Sequence, residues 1–149
     1  NKDIIFYGGC KMKYTKRENI YVVRLEKDEN IVESLKKFAK ENNIKAAMVN
    51  GIGAVTDTKI GIYDIESKKY NETIFSDNYE ITSLTGNITT KDNKPYMHLH
   101  INFSGQDCIC YGGHFIEGKV TITAEIIVTE IEGNLNRYLD EVGINLIDV

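Results

Sequence analysis

His98-Leu99-His100-Ile101-Asn102-Phe103-Ser104, then Gly105-Gln106-Asp107, then Cys108-Ile109-Cys110-Tyr111-Gly112-Gly113-His114-Phe115 reads as two β-strands joined by a turn. Successive side chains of a strand point to opposite faces, so His98 and His100 share one face and Leu99, Ile101 and Phe103 share the other. Gly and Asp tolerate turn geometry. A three-residue loop over 105–107 pairs Ser104 with Cys108, Asn102 with Cys110, His100 with Gly112 and His98 with His114. On the opposite face the same register pairs Phe103 with Ile109, Ile101 with Tyr111 and Met97 with Phe115. One face is then nearly all apolar, and the other carries every histidine of the chain. A slip of one residue would move His114 to the apolar face, so patterning and histidine convergence select the same faces. Gly112-Gly113 leaves room for a β-bulge that would shift the count.

Three converging neutral imidazoles suit zinc or a similar divalent ion, with a fourth position open to water or another ligand. His98, His100 and His114 are therefore the candidate metal ligands. The alternative is a hydrogen-bonded histidine cluster at a subunit contact. Cys108 and Cys110 fall on the histidine face in this register, and Cys110 is expected to be a small buried thiol beneath the polar layer. With Cys10 they make an odd number without a disulfide-framework spacing, which points to a reduced, cytoplasmic protein.

Outward from the hairpin the chain reads as one domain over 1–149, without linkers, repeats or low-complexity stretches. Its single proline, Pro95, follows the polar turn Lys91-Asp92-Asn93-Lys94. Strands are expected over 11–14, 19–25, 46–50, 58–63, 69–75 and 79–87, with a long one over 119–131. In that last strand Val120, Ile122, Ala124, Ile126 and Val128 line one face, and Thr121, Thr123, Glu125 and Thr129 the other. A helix follows Asn30, a capping residue with Glu33 three positions on. Ile31, Leu35, Phe38 and Ala39 form its apolar stripe, while Glu33, Lys36, Lys37 and Lys40 face water. Gly51-Ile52-Gly53-Ala54 resembles half of a dinucleotide fingerprint, but its third glycine is missing, so it is read as a tight turn between two strands. The fold class is α+β: a mostly antiparallel sheet with a flanking amphipathic helix. The polar face also carries Ile127 and Ile131, so another subunit is expected to cover part of it.

The net charge is -4, with a pI near 5.4, which argues against strong non-specific binding to nucleic acid. Lys11, Lys13, Lys16 and Arg17 form the one local basic cluster and are the weak candidates for DNA contact. Lysines on a strand edge also discourage aggregation. No apolar run approaches membrane-spanning length, and no secretory apolar region opens the chain. A start at Asn1 is expected where an initiator or tag has been trimmed.

Several blocks resemble the PPC domain, the "plants and prokaryotes conserved" domain. They are Tyr21-Val22-Val23-Arg24-Leu25 running into Asn30-Ile31-Val32-Glu33-Ser34-Leu35, Asn50-Gly51-Ile52-Gly53-Ala54-Val55, and Tyr79-Glu80-Ile81-Thr82-Ser83-Leu84-Thr85-Gly86-Asn87. His98-Leu99-His100-Ile101 with Gly112-Gly113-His114-Phe115-Ile116-Glu117-Gly118 is the strongest. The resemblance implies a mostly antiparallel sheet with a flanking helix, assembled as a homotrimer. It also implies that His98, His100 and His114 match elements that bind a metal ion in some prokaryotic members. Plant relatives fuse the domain to AT-hooks and act on AT-rich DNA; this chain has no Arg-Gly-Arg-Pro AT-hook.

Two functions follow. One is a homotrimeric, metal-binding interaction or regulatory module, associated with DNA through a partner. The other is a metal-dependent hydrolase or lyase using the open coordination position. Catalysis needs a proton-transfer group, for which Glu125 and Glu117 are the candidates.

Overall fold

In the computed structural model, residues 5–6 and 11–149 are described; Cys10 lies outside them. The strands are β1 (Ile5–Phe6), β2 (Lys13–Arg17), β3 (Ile20–Glu26), β4 (Ala47–Asp64), β5 (Lys69–Phe75), β6 (Tyr79–Lys91), β7 (Lys94–Ser104), β8 (Cys110–Glu130), β9 (Arg137–Leu139) and β10 (Asn145–Ile147), and the helix is α1 (Ile31–Glu41). All the ladders between strands are antiparallel, as the α+β reading expects.

The sheet is not an open layer. β8 pairs with β7 at its start and with β3 at its end, and β4 runs beside it for most of its length. Because β4 also pairs with β6, and β6 with β7, the strands β4, β6, β7 and β8 close into a ring. Leu99, Ile101, Phe103, Phe115, Ala124, Ile126 and Val128 are all buried in the core. Helix α1 packs on β7 and β8. Asn30 Oδ1 accepts the Glu33 N–H at 3.1 Å, satisfying one of the free amides at the helix start. Phe38 meets Tyr14 and Tyr21 edge-on, with ring centroids 5.0 and 5.1 Å away.

Four local expectations are corrected. Gly51 to Ala54 is not a turn: β4 continues through it for 18 residues, and its pairing with β6 shifts register between Gly51 and Gly53. A bulge there bends one strand so that it can serve β6 in its first half and β5 in its second. The histidine hairpin is displaced by two residues, so that His100 rather than His98 faces His114. The loop takes five residues: Cys108 N–H donates to Gly105 O, Asp107 Oδ1 accepts from Ile109 N–H, and Cys108 has φ 60°. A shift of two keeps the side chains that remain in the ladder on their expected faces. Cys110 is exposed, not buried beneath the polar layer, and Cys108 is exposed as well. Ile122 is 71% exposed, where β8 passes a register shift against β4.

Candidate metal centre

β7 places His98 and His100 on the outer face of the ring, and β8 brings His114 directly opposite His100. Ring centroids lie 5.2 Å apart for His98 and His100, 5.5 Å for His98 and His114, and 5.7 Å for His100 and His114. One nitrogen from each ring falls within 4.8 Å of the other two. A tetrahedral ion with metal–nitrogen bonds of about 2.0–2.1 Å would draw these atoms to roughly 3.3 Å apart, a modest closing of three side chains.

The site is polarised from within outward. His98 and His114 are half-buried and His100 is exposed, so the centre opens on the His100 side. Burial, reinforced by the other two imidazoles, lowers the His114 pKa to about 4. Burial also lowers His98, with Arg137 and His100 adding to the effect. Both rings are therefore neutral at pH 7, which is the ligating form. His114 Nδ1 is buried and has no hydrogen-bond partner. A buried imidazole nitrogen without a hydrogen-bond partner, on a ring grouped with two more imidazoles, fits a cation, and the donor set suits zinc.

Two supports of the site come from residues that the sequence pattern did not connect to the histidines. Tyr70 of β5 stacks on His114, with centroids 4.7 Å apart and planes 25° apart. Gly61 stands between them in β4, paired with His114, and a Cβ there would lie 2.8 Å from the Tyr70 ring. Burial raises the Tyr70 phenol pKa, and Tyr96 and Tyr63 add to the rise. The second support is Arg137 of β9. Its Nε donates to Thr89 Oγ1, one Nη to Asn145 O and the other to Asn87 Oδ1, each at 2.6 Å. The guanidinium also lies 4.8 Å from the centre of the Tyr96 ring. Asn87 stands opposite His98 in the β6–β7 ladder, so Arg137 sits beside the histidines. Gly86, next to Asn87, has no side chain because a Cβ would come 2.0 Å from His98 O. The signal in the sequence was faint: Arg137 is one of three arginines, set beside Tyr138 and Leu139 in the tail.

The carboxylates put forward as proton-transfer groups do not gather here. Glu117 is ion-paired with Lys59 at 3.0 Å. Glu125 stands opposite Arg24 and Ile52, on a part of β8 separated from β7 by β4 and β6. The basic cluster is also remote and locally neutralised. Lys11 lies 3.8 Å from Asp28, Lys13 3.2 Å from Glu26 and Lys16 3.4 Å from Glu130, while Arg17 is exposed.

The model of the Plants and Prokaryotes Conserved (PCC) domain, also written PPC, matches residues 12–132. The chain belongs to this family. Solved structures agree with the assignment. A PPC protein from Pyrococcus horikoshii is 32% identical, covering 97% of this chain and 98% of that one, with a TM-score of 0.84. A metal-containing protein from Archaeoglobus fulgidus is 34% identical over 90% and 96% of the two chains, with a TM-score of 0.83. A candidate DNA-binding protein from Bacteroides thetaiotaomicron is 30% identical over 92% and 96%, with a TM-score of 0.89. No curated protein matches the chain. No helix among the described residues is long and apolar enough to cross a membrane.

Proposed function

We propose that this PPC domain is a homotrimeric metal-binding module that works by interaction or regulation, with His98, His100 and His114 holding one divalent ion, zinc by donor type. The observation that carries this reading is the convergence of three ligand atoms, one from each histidine, within 4.8 Å of one another. The Archaeoglobus relative, described as metal-containing, supports it. His98 and His100 of β7 and His114 of β8 would hold a zinc ion, which would supply Lewis-acid chemistry there. The residues of this chain hold that position in place: Tyr70 backs His114, and the Arg137–Asn87 contact fixes the strand opposite His98.

The module reading stands ahead of the hydrolase or lyase because neither Glu117 nor Glu125 is placed to move a proton at the centre. The trimer rests on the outer face, where Ile20, Val22, Met48, Ile52 and Ile127 of β3, β4 and β8 are exposed side by side. Val22, Ile52 and Ile127 line a groove of about 680 Å³. The DNA association suggested by the Bacteroides relative runs through a partner in this reading, since Lys11, Lys13 and Lys16 each face a carboxylate. Direct phosphate contact would show as a steep loss of affinity with salt. The deciding experiment is elemental analysis of untagged protein eluting from a mass-calibrated sizing column. One transition-metal equivalent per chain in a trimer peak is expected. A protein that stays metal-free after zinc is offered overturns the reading.

A further inference from the structure

Arg137 is 8% exposed, yet every acceptor it meets is neutral: Thr89 Oγ1, Asn145 O and Asn87 Oδ1. Among the described residues no carboxylate pairs with it or with any of the three histidines. Two carboxylates on β8 and β5, the strands of His114 and Tyr70, act on Lys59 instead. Glu117 pairs with Lys59, and Glu72, opposite Gly61 in β5, is exposed and acts on Lys59 as well. A buried cation ordinarily carries its countercharge with it. Here the guanidinium has five N–H donors, of which three are engaged, and it stands against Asn87 and Tyr96, the neighbours of His98 on the same face.

This inference rests on the metal reading above. Three neutral imidazoles around a divalent ion leave a charge of two, and Arg137 adds a third, in a partly buried site without an acid. We propose that the open side of the three-histidine centre receives a small oxyanion, which completes the metal's coordination and supplies the countercharge that Arg137 lacks. Neutral ligands of the same shape fill the coordination position but leave the charge unbalanced, so the site discriminates by charge. His100, the exposed member of the three, marks the side from which the anion enters.

Cobalt(II) in place of zinc reports ligand exchange through its visible spectrum without any assay of turnover. The cobalt-loaded protein is titrated at constant ionic strength with acetate, with inorganic phosphate, and with acetamide as the neutral counterpart of acetate. Acetate is expected to give a saturable spectral change that acetamide does not, and Arg137→Gln, compared per cobalt bound, to weaken acetate by about tenfold. Saturation by phosphate alone supports the oxyanion site and assigns it to phosphate groups. Full cobalt loading with no response to either anion, or an equal response to acetate and acetamide, overturns the proposal. Failure to take up cobalt overturns the metal reading and this inference with it. Should Arg137→Gln not fold, the acetate and acetamide comparison on the unaltered protein decides alone.

Discussion

Tyr70 lies against the imidazole of His114, ring on ring, with 4.7 Å between centroids. The contact reaches across β4 only because position 61 has no Cβ. Gly61→Ala should push Tyr70 aside, at a cost of about 1–3 kcal/mol of overpacking. Tyr70→Ala should cost about 0.5–1.5 kcal/mol in ring contact, so metal affinity should fall by roughly threefold to tenfold. Competition with a chromogenic chelator reads this directly; unchanged affinity in both variants would remove Tyr70 from the site.

His98→Ala and His114→Ala should each abolish stoichiometric metal binding and leave the far-ultraviolet circular dichroism unchanged. Both side chains sit on the outer face of the ring, away from the buried cluster of Leu99, Ile101 and Phe103. Metal content per folded chain is the measurement, and full content in either variant refutes the ligand set.

The pH dependence of the metal-free protein follows from His114. Its pKa is about 4 in the folded chain, against an ordinary histidine value of 6.5. Between those values the unfolded chain binds a proton that the folded chain excludes, so falling pH favours unfolding. The contribution is fully present above about pH 6.5 and is lost as pH drops through 4. His98 is shifted in the same direction, so its contribution has the same sign. Urea midpoints of metal-free protein should therefore fall from pH 7 to pH 5, and His114→Phe should flatten the slope. An unchanged slope in the variant contradicts the assignment.

Arg137 ties the β9–β10 hairpin to β6. Arg137→Ala leaves Thr89, Asn87 and the Asn145 carbonyl short of a donor, and should cost about 2–4 kcal/mol. Amide exchange should accelerate first in residues 137–147, where the hairpin loses its anchor. Uniform acceleration over the whole chain would show instead that the residue supports global stability only.

Ile127→Lys tests the proposed trimer. Ile127 is 41% exposed between Val22 and Asn50, so a lysine there costs the isolated chain little. Sedimentation velocity should show a trimer converted to monomer. A persistent trimer would place the interface on another face.

Much of this molecule is local in origin and therefore legible in order along the chain. Asn30 and Glu33 announce α1, whose cap and buried stripe of Ile31, Leu35, Phe38 and Ala39 form as periodicity dictates. Alternation in β7 puts His98 and His100 on one face whatever the partner strand does. The family blocks fall in the matched region as well. Distinctions of two residues are another matter. A strand repeats its faces every second position, so pattern alone could not separate His98 from His100 as the neighbour of His114. The five-residue loop closed by Cys108 and Asp107 settled it.

What tertiary structure alone decided is longer in range. Gly51 and Gly53 carry turn chemistry, yet β4 passes through them because β6 and β8 pair with it on both sides. Tyr70 lies in a strand with little apolar pattern, and Arg137 in a tail with less. Neither shows its relation to the histidines until the ring closes and the last hairpin folds back on β6. The sequence by itself determined which face carries the histidines, because side-chain alternation needs only the strand's own backbone. The stacking, the placement of Arg137 beside the histidines and the register had to wait for packing between strands far apart in the chain.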